Sequence, residues 1–186
     1  MIPYVTVFCS ANARHIPRAF SKDAKRFAHL LVKNNYNLVW GGSDEKLMHL
    51  IASEVKSKGG KIFGVSMKML SQTAFKGADE MIFAYNHQHR KKIMFKKGIA
   101  TVALPGGIGT LDEIITALEL KKHDLYTKPI IFLNTNNFYR NLIEMIKTMK
   151  KYGFIRKSLH QLLYVAKTPE EVISYLNKYE KRRKKR

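Results

Sequence analysis

Ile99-Ala100-Thr101-Val102-Ala103-Leu104-Pro105-Gly106-Gly107-Ile108-Gly109-Thr110-Leu111-Asp112-Glu113 decides the fold. The apolar, partly β-branched run Ile99 to Leu104 is the clearest strand in the chain. One proline and three glycines then interrupt it, and an amphipathic stretch continues to about Lys122. Strand, tight turn and helix in immediate succession form the unit of a parallel sheet, because a parallel neighbour is reached only through a crossover.

The alternation repeats on either side of this unit. Upstream, Tyr4 to Cys9, Tyr36 to Trp40, Lys61 to Val65 and Glu80 to Tyr85 read as strands. Helices are expected at Ser21 to Asn34, where Phe20, Ala24, Phe27, Ala28 and Leu31 recur at helical spacing, at Lys46 to Lys58, with Leu47, Leu50, Ile51 and Val55 on one face, and at His87 to Lys97. Ser66 to Gly77 reads as a loop. Downstream come a strand at Pro129 to Leu133, a helix at Phe138 to Tyr152, a strand at Leu162 to Ala166 and a helix from Thr168. There Thr168-Pro169-Glu170-Glu171 supplies an N-cap, a first-turn proline and early acids. The expectation is an α/β domain: a doubly wound, mostly parallel sheet with helices on both faces. A single domain spans 1–180, and 181–186 is a basic tail.

Composition narrows the function classes. With 45 % apolar and 26 % charged residues, the chain has the make-up of an ordinary globular protein. Cys9 is the single cysteine, which excludes an intramolecular disulfide framework, and no Cys/His cluster has the spacing of a zinc site. The start, Met1 to Cys9, carries no leader pattern, and no apolar run reaches the roughly 18 residues of a membrane span. A cytoplasmic location, no membrane partner and no metal are therefore expected. Lysine plus arginine (34) outnumber aspartate plus glutamate (14), giving +20, and Lys181 to Arg186 are all basic. Nonspecific polyanion binding through the basic surface and tail is one reading of this charge; a solvated lysine-rich surface is the other.

In a doubly wound sheet, ligands bind where strand carboxyl ends meet helix N-termini, and Pro105 to Thr110 lies at such a junction. Gly106, Gly107 and Gly109 let the backbone approach an anion, free N–H groups and the helix dipole favour negative charge, and the Thr110 hydroxyl adds a donor. Asp112 stands where a dinucleotide fingerprint needs a third small residue, and the Gly-Lys-Ser/Thr of a P-loop is missing. Spacing alone leaves a phosphate cradle and an unliganded glycine-capped turn both open. On the following helix Leu111, Ile114, Ile115 and Leu118 are expected to be buried. At about 100° per residue Glu113 then falls away from that stripe, one turn from the anion. A carboxylate there can stabilise an oxocarbenium-like centre or position water.

Pro105 to Glu113 resembles the Pro-Gly-Gly-x-Gly-Thr-x-x-Glu signature of the LOG ("Lonely guy") family, cytokinin riboside 5′-monophosphate phosphoribohydrolases once described as lysine decarboxylase-like. Arg90-Lys91-Lys92-Ile93-Met94 resembles the family's second block, an Arg-Lys followed after two residues by Met, at the usual separation. The resemblance runs from about residue 3 to residue 180. It implies a Rossmann-like fold and cleavage of the N-glycosidic bond of AMP or an N6-modified AMP, giving free base and ribose 5-phosphate without a cofactor. It further implies Arg90 and Glu113 as the catalytic pair, Gly106 to Thr110 as the phosphate cradle, and a homodimer with the site near its interface; Lys91, next to Arg90, reads either as a further phosphate-binding residue or as a solvated lysine. Asn86, His87 and His89 lead into the Arg90 helix and are further candidates to face the nucleotide.

The sequence departs from the family in two places. Gly41-Gly42-Ser43-Asp44-Glu45-Lys46-Leu47-Met48-His49 has Ser43, Lys46 and His49 where the family has glycine. Phe8-Cys9-Ser10-Ala11 has Ser10 for another. These changes bear on substrate identity and efficiency more than on reaction class. The alternative function is a catalytically weakened nucleotide-binding or nucleic-acid-binding Rossmann-like protein.

Overall fold

The computed structural model describes residues 2–12 and 15–185, so the expectations for Met1 and Arg186 lie outside the described residues. Strands β1 (Tyr4–Phe8), β2 (Asn37–Trp40), β3 (Ile62–Met67), β4 (Glu80–Ala84), β5 (Thr101–Ala103), β6 (Ile130–Leu133) and β7 (Tyr164–Ala166) form one sheet. Their order is β4-β3-β2-β1-β5-β6-β7, and every neighbouring pair is parallel. The crossovers carry helices α1 (Arg18–Lys33), α2 (Lys46–Ser57), α3 (His87–Lys97), α4 (Ile108–Lys122), α5 (Arg140–Lys151) and α6 (Leu159–Leu162), and α7 (Pro169–Lys184) follows β7.

Strand periodicity builds two cores. Val5, Val7, Leu38, Trp40, Val102 and Ile131 join α1, α2 and α7 on one face. Phe8, Val39, Ala103 and Phe132 join α3, α4, α5 and α6 on the other. Central strands covered on both sides are apolar at most positions, which is why these runs are near-continuous and not alternating; the buried hydroxyls of Thr6 and Thr101 are hydrogen-bonded, to Met94 O and the Tyr126 hydroxyl.

The chain winds from β1 outward to β4 and then returns to β5 on the other side of β1, so the strand order reverses between β1 and β5. Crossovers leaving in opposite directions open a crevice at the carboxyl ends of these two strands. Leu104 N donates to Phe8 O at 2.9 Å and Ser10 N to Pro105 O at 3.3 Å, holding the two strand ends together beneath it.

Three stretches differ from the expectation. β3 runs on to Met67 and a 3₁₀ turn occupies Lys68–Thr73, where a loop was expected. Residues 159–162, partly read as strand, form the short helix α6 behind a Ser158–Gln161 capping box, so β7 begins only at Tyr164. The boundary expected at 180/181 falls inside α7, which continues to Lys184 while Glu180 is held by Arg183 and Lys184.

Candidate active site

The floor of the crevice is the N-terminus of α4. Gly107 is its N-cap and no side chain caps it. The first intrahelical bond runs from Leu111 N to Gly107 O at 3.0 Å, leaving the N–H groups of Ile108, Gly109 and Thr110 without intrahelical acceptors. Those donors and the positive end of the helix dipole make a site for an anion. The glycines have separate roles. A Cβ on Gly106 would run into the Thr110 hydroxyl, whereas nothing lies within 4 Å of a Cβ on Gly107 or Gly109. Gly106 thus gives Thr110 room, and the other two keep the approach to the N–H groups open.

Arg90 reaches this floor from α3, whose N-cap Asn86 accepts from His89 N at 2.8 Å. Its Nε donates to Val65 O at 2.7 Å, and its Nη1 to Glu113 Oε1 at 2.5 Å. The backbone of Gly41 lies so close to the guanidinium that a Cβ there would overlap Nη2. Glu113 is 4 % exposed and shares the inward face of α4 with Thr110, Ile114, Ala117 and Leu118. This corrects the sequence reading: Leu111 (37 %) and Ile115 (44 %) are exposed, and Glu113 lies within the buried stripe. The expectation assigned the inward face to apolar residues, but the first turns of α4 face the crevice, so the inward positions there carry the polar groups of the site.

Cys9, Ser10, Asn12, Met48, Ile108 and the pair Arg90–Glu113 line a cleft of about 400 Å³ over the α4 N-terminus. Past Gly106-Gly107 it adjoins an apolar hollow of about 230 Å³ that includes Phe20, Leu47 and Phe138. Burial pushes the Glu113 carboxyl above its ordinary value; Arg90 opposes that shift and neighbouring Asp112 adds to it. Burial, with the nearby Glu113 charge, also raises the Cys9 thiol. The Tyr139 hydroxyl is raised by burial and by Cys9 and Glu113, and it donates to Leu104 O at 2.6 Å. Cys9 therefore stays neutral, and the charged groups among the described residues lining the cleft are Arg90 and Glu113.

The structure brings Arg90, Glu113, Gly107, Gly109 and Thr110 together, with Gly106 at the rim of the adjoining hollow. It does not bring Lys91 to them. Lys91 Nζ bonds both Asp112 carboxylate oxygens, at 2.9 and 3.0 Å, and Thr116 Oγ1 at 2.9 Å, beside a separate hollow between α3 and residues 125–128. One residue beyond Arg90 on a helix, it points about 100° away. His89 stacks on Tyr85 at 4.1 Å, and neither Asn86, His87 nor His89 lines the cleft. Of the altered glycine motif only Met48 lines it. His49 turns outward to Asp44 at 2.6 Å, and Lys46 is exposed. Sequence reading missed the Val65 carbonyl, which carries no side-chain signal, and Asn12.

A family profile described as "Possible lysine decarboxylase" matches residues 48–176. A protein of Oryza sativa subsp. japonica named probable cytokinin riboside 5′-monophosphate phosphoribohydrolase is 32 % identical over 178 residues, covering 94 % of this chain and 72 % of its own. The chain belongs to the LOG family. A second LOG relative, the cytokinin riboside 5′-monophosphate phosphoribohydrolase of Rhodococcoides fascians, is 31 % identical over 173 residues, covering 91 % of this chain and 87 % of its own. The fold is shared with the molybdenum cofactor binding protein from Rippkaea orientalis, with a TM-score of 0.74 at 19 % identity over 96 % of this chain and 98 % of that one.

Proposed function

We propose that this LOG-family chain is a nucleoside 5′-monophosphate phosphoribohydrolase acting on AMP or N6-modified AMP and releasing free base and ribose 5-phosphate. The observation that carries this reading is the buried Arg90–Glu113 ion pair beside an uncapped helix N-terminus. The 5′-phosphate sits on the N–H groups of Ile108, Gly109 and Thr110, with the Thr110 hydroxyl as a further donor. Ribose then lies over Glu113, which faces the cationic character that develops at C1′ as the bond to the base lengthens. The C1′–N bond breaks with its electron pair on the base. A water oxygen bonds C1′, and the proton that it loses balances the one taken up by the leaving base. Arg90, fixed by Val65 O, holds the carboxylate in place and supplies a permanent positive charge near the phosphate.

From Ile108 at the cleft, an exposed apolar strip continues along α4 through Leu111 and Ile115, which supports a homodimer with the site near its interface. A panel of nucleoside monophosphates, assayed for ribose 5-phosphate and free base, tests the proposal. AMP or an N6-substituted AMP should be cleaved, and Glu113→Gln should slow cleavage at least about 10²-fold. Tight AMP binding with no base released from any member of the panel overturns it in favour of a carrier.

A further inference from the structure

The +20 charge is not evenly spread, and the pair α1–α7 gives it a geometry. These helices lie side by side in the same layer and run in the same direction. Arg26 of α1 meets Glu170 at the start of α7, and Asn34 after α1 meets Asn177 seven residues later. The last turns of α7 therefore extend past the end of α1, beside Pro3 and Asn35. That is the amino-terminal edge of the sheet, opposite the catalytic cleft.

Each helix presents a basic outer stripe. On α1, Arg18, Lys22, Lys25 and Lys33 fall within roughly 80° of one another at 100° per residue, opposite the buried Ala24, Phe27 and Leu31. At the end of α7 and its C-cap, Lys178, Lys181, Arg182 and Lys185 fall within roughly 100° of one another, opposite Val172, Ile173 and Leu176. Among the described residues none of these eight side chains forms an ion pair, and Asp23 is turned away to Thr135. Attraction to the negative helix C-termini accounts for a lysine in a last turn, but not for a stripe along the whole of α1.

We infer that the outer face of α1 and the end of α7 form a sequence-independent docking surface for the phosphate backbone of a nucleic-acid duplex. The α1 stripe is about 22 Å long, and the α7 end prolongs it toward one duplex turn. Neither helix exposes a large apolar side chain, so a bilayer would find nothing to take up, and neither offers an aromatic platform for unstacked bases. Charge complementarity to regularly spaced phosphates is what this face offers.

Fluorescence anisotropy with a labelled 20-base-pair duplex of random sequence, measured across a salt series, is the test. The full chain should bind with log K falling linearly in log salt, with a slope of about −4 or steeper. The triple variant K178E/K181E/R182E should weaken binding at least about tenfold and flatten the slope, with AMP cleavage and the melting temperature unchanged. The matched variant K92E/K96E/K151E, on the opposite helix layer, alters net charge equally and should weaken binding much less. Equal weakening by both variants overturns the proposal in favour of diffuse charge. So does binding to vesicles containing phosphatidylserine without binding to the duplex.

Discussion

The Arg90 guanidinium meets the Glu113 carboxylate at 2.5 Å with side-chain exposures of only 12 % and 5 %, so each is the other's main compensation for lost water. Breaking a buried pair from one side costs about 3–5 kcal/mol, because the surviving charge is stranded. Arg90→Ala is expected to lower unfolding free energy by about 3 kcal/mol and abolish cleavage. Glu113→Gln keeps an acceptor for Nη1, so its cost appears in kcat, which should fall at least about 10²-fold with little change in KM. Denaturant titration beside steady-state kinetics separates the two; a Glu113→Gln enzyme with native kcat would refute the assignment.

The same burial sets a pH dependence. In the proposed reaction Glu113 acts as the carboxylate, and its carboxyl is raised above the ordinary 4.5, burial outweighing Arg90. The acid limb of the kcat/KM profile should therefore lie above 4.5. The linkage has the opposite sign from that of a stabilised carboxylate. Folded protein holds this proton more tightly than the unfolded chain, so the contribution of Glu113 to stability falls as pH rises through its folded pKa. Relative to E113Q, which does not titrate there, the native chain should gain stability on acidification across that interval. Parallel pH series of denaturant midpoints measure the difference, and a gain in the other direction would contradict a raised carboxyl.

The glycines of the loop should separate by role. Gly106→Ala drives a Cβ into the Thr110 hydroxyl, and overpacking of this kind costs about 1–3 kcal/mol. Gly109→Ala meets nothing and sits in the first turn of α4, so stability should hold or rise by up to about 1 kcal/mol. Its effect should be a higher KM for AMP, from a methyl group beside the phosphate donors. Melting curves and KM for both variants check this, and a Gly109→Ala enzyme with unchanged KM would remove the phosphate from that position.

The fold was legible because its signals are local: each strand is an apolar run and each crossover a periodic helix. The glycine turn at the head of α4 was legible for the same reason, since it is one contiguous stretch. What the chain hid was orientation. An apolar stripe on α4 was read as core, yet Leu111 and Ile115 face outward and Glu113 inward, because the direction of the crevice is set by β1 and β5 and not by α4's own sequence. Lys91 is a second case: adjacent to Arg90 in the chain, it lies on a different face of the same helix, bonded to Asp112 and Thr116.

That placement yields a test of its own. Lys91 is 4 % exposed and its ammonium is fully engaged by Asp112 and Thr116, so Lys91→Met should disturb the α3–α4 contact without touching phosphate. Asp112 is half exposed and can turn to water, which limits the loss to about 1–2 kcal/mol. KM for AMP should stay within about twofold of native, since 1.4 kcal/mol would already be tenfold. A KM raised tenfold, with stability intact, would restore Lys91 as a phosphate ligand.

Lys46 offers the clearest gain. It opens α2 at φ +49°, the left-handed region, exposed to solvent and forming no ion pair among the described residues, at a position where LOG proteins carry glycine. A non-glycine residue held there costs about 1–2 kcal/mol from contact between Cβ and its own backbone. Glycine removes that contact but loses more freedom on folding, which returns part of the gain. Lys46→Gly should therefore raise unfolding free energy by about 0.5–1 kcal/mol. Activity should not change, since Lys46 does not line the cleft and Gly41, which touches Arg90, is unaltered. Chemical denaturation of the variant decides the point: a loss of stability would mean that the lysine side chain contributes more at this turn than its backbone conformation costs.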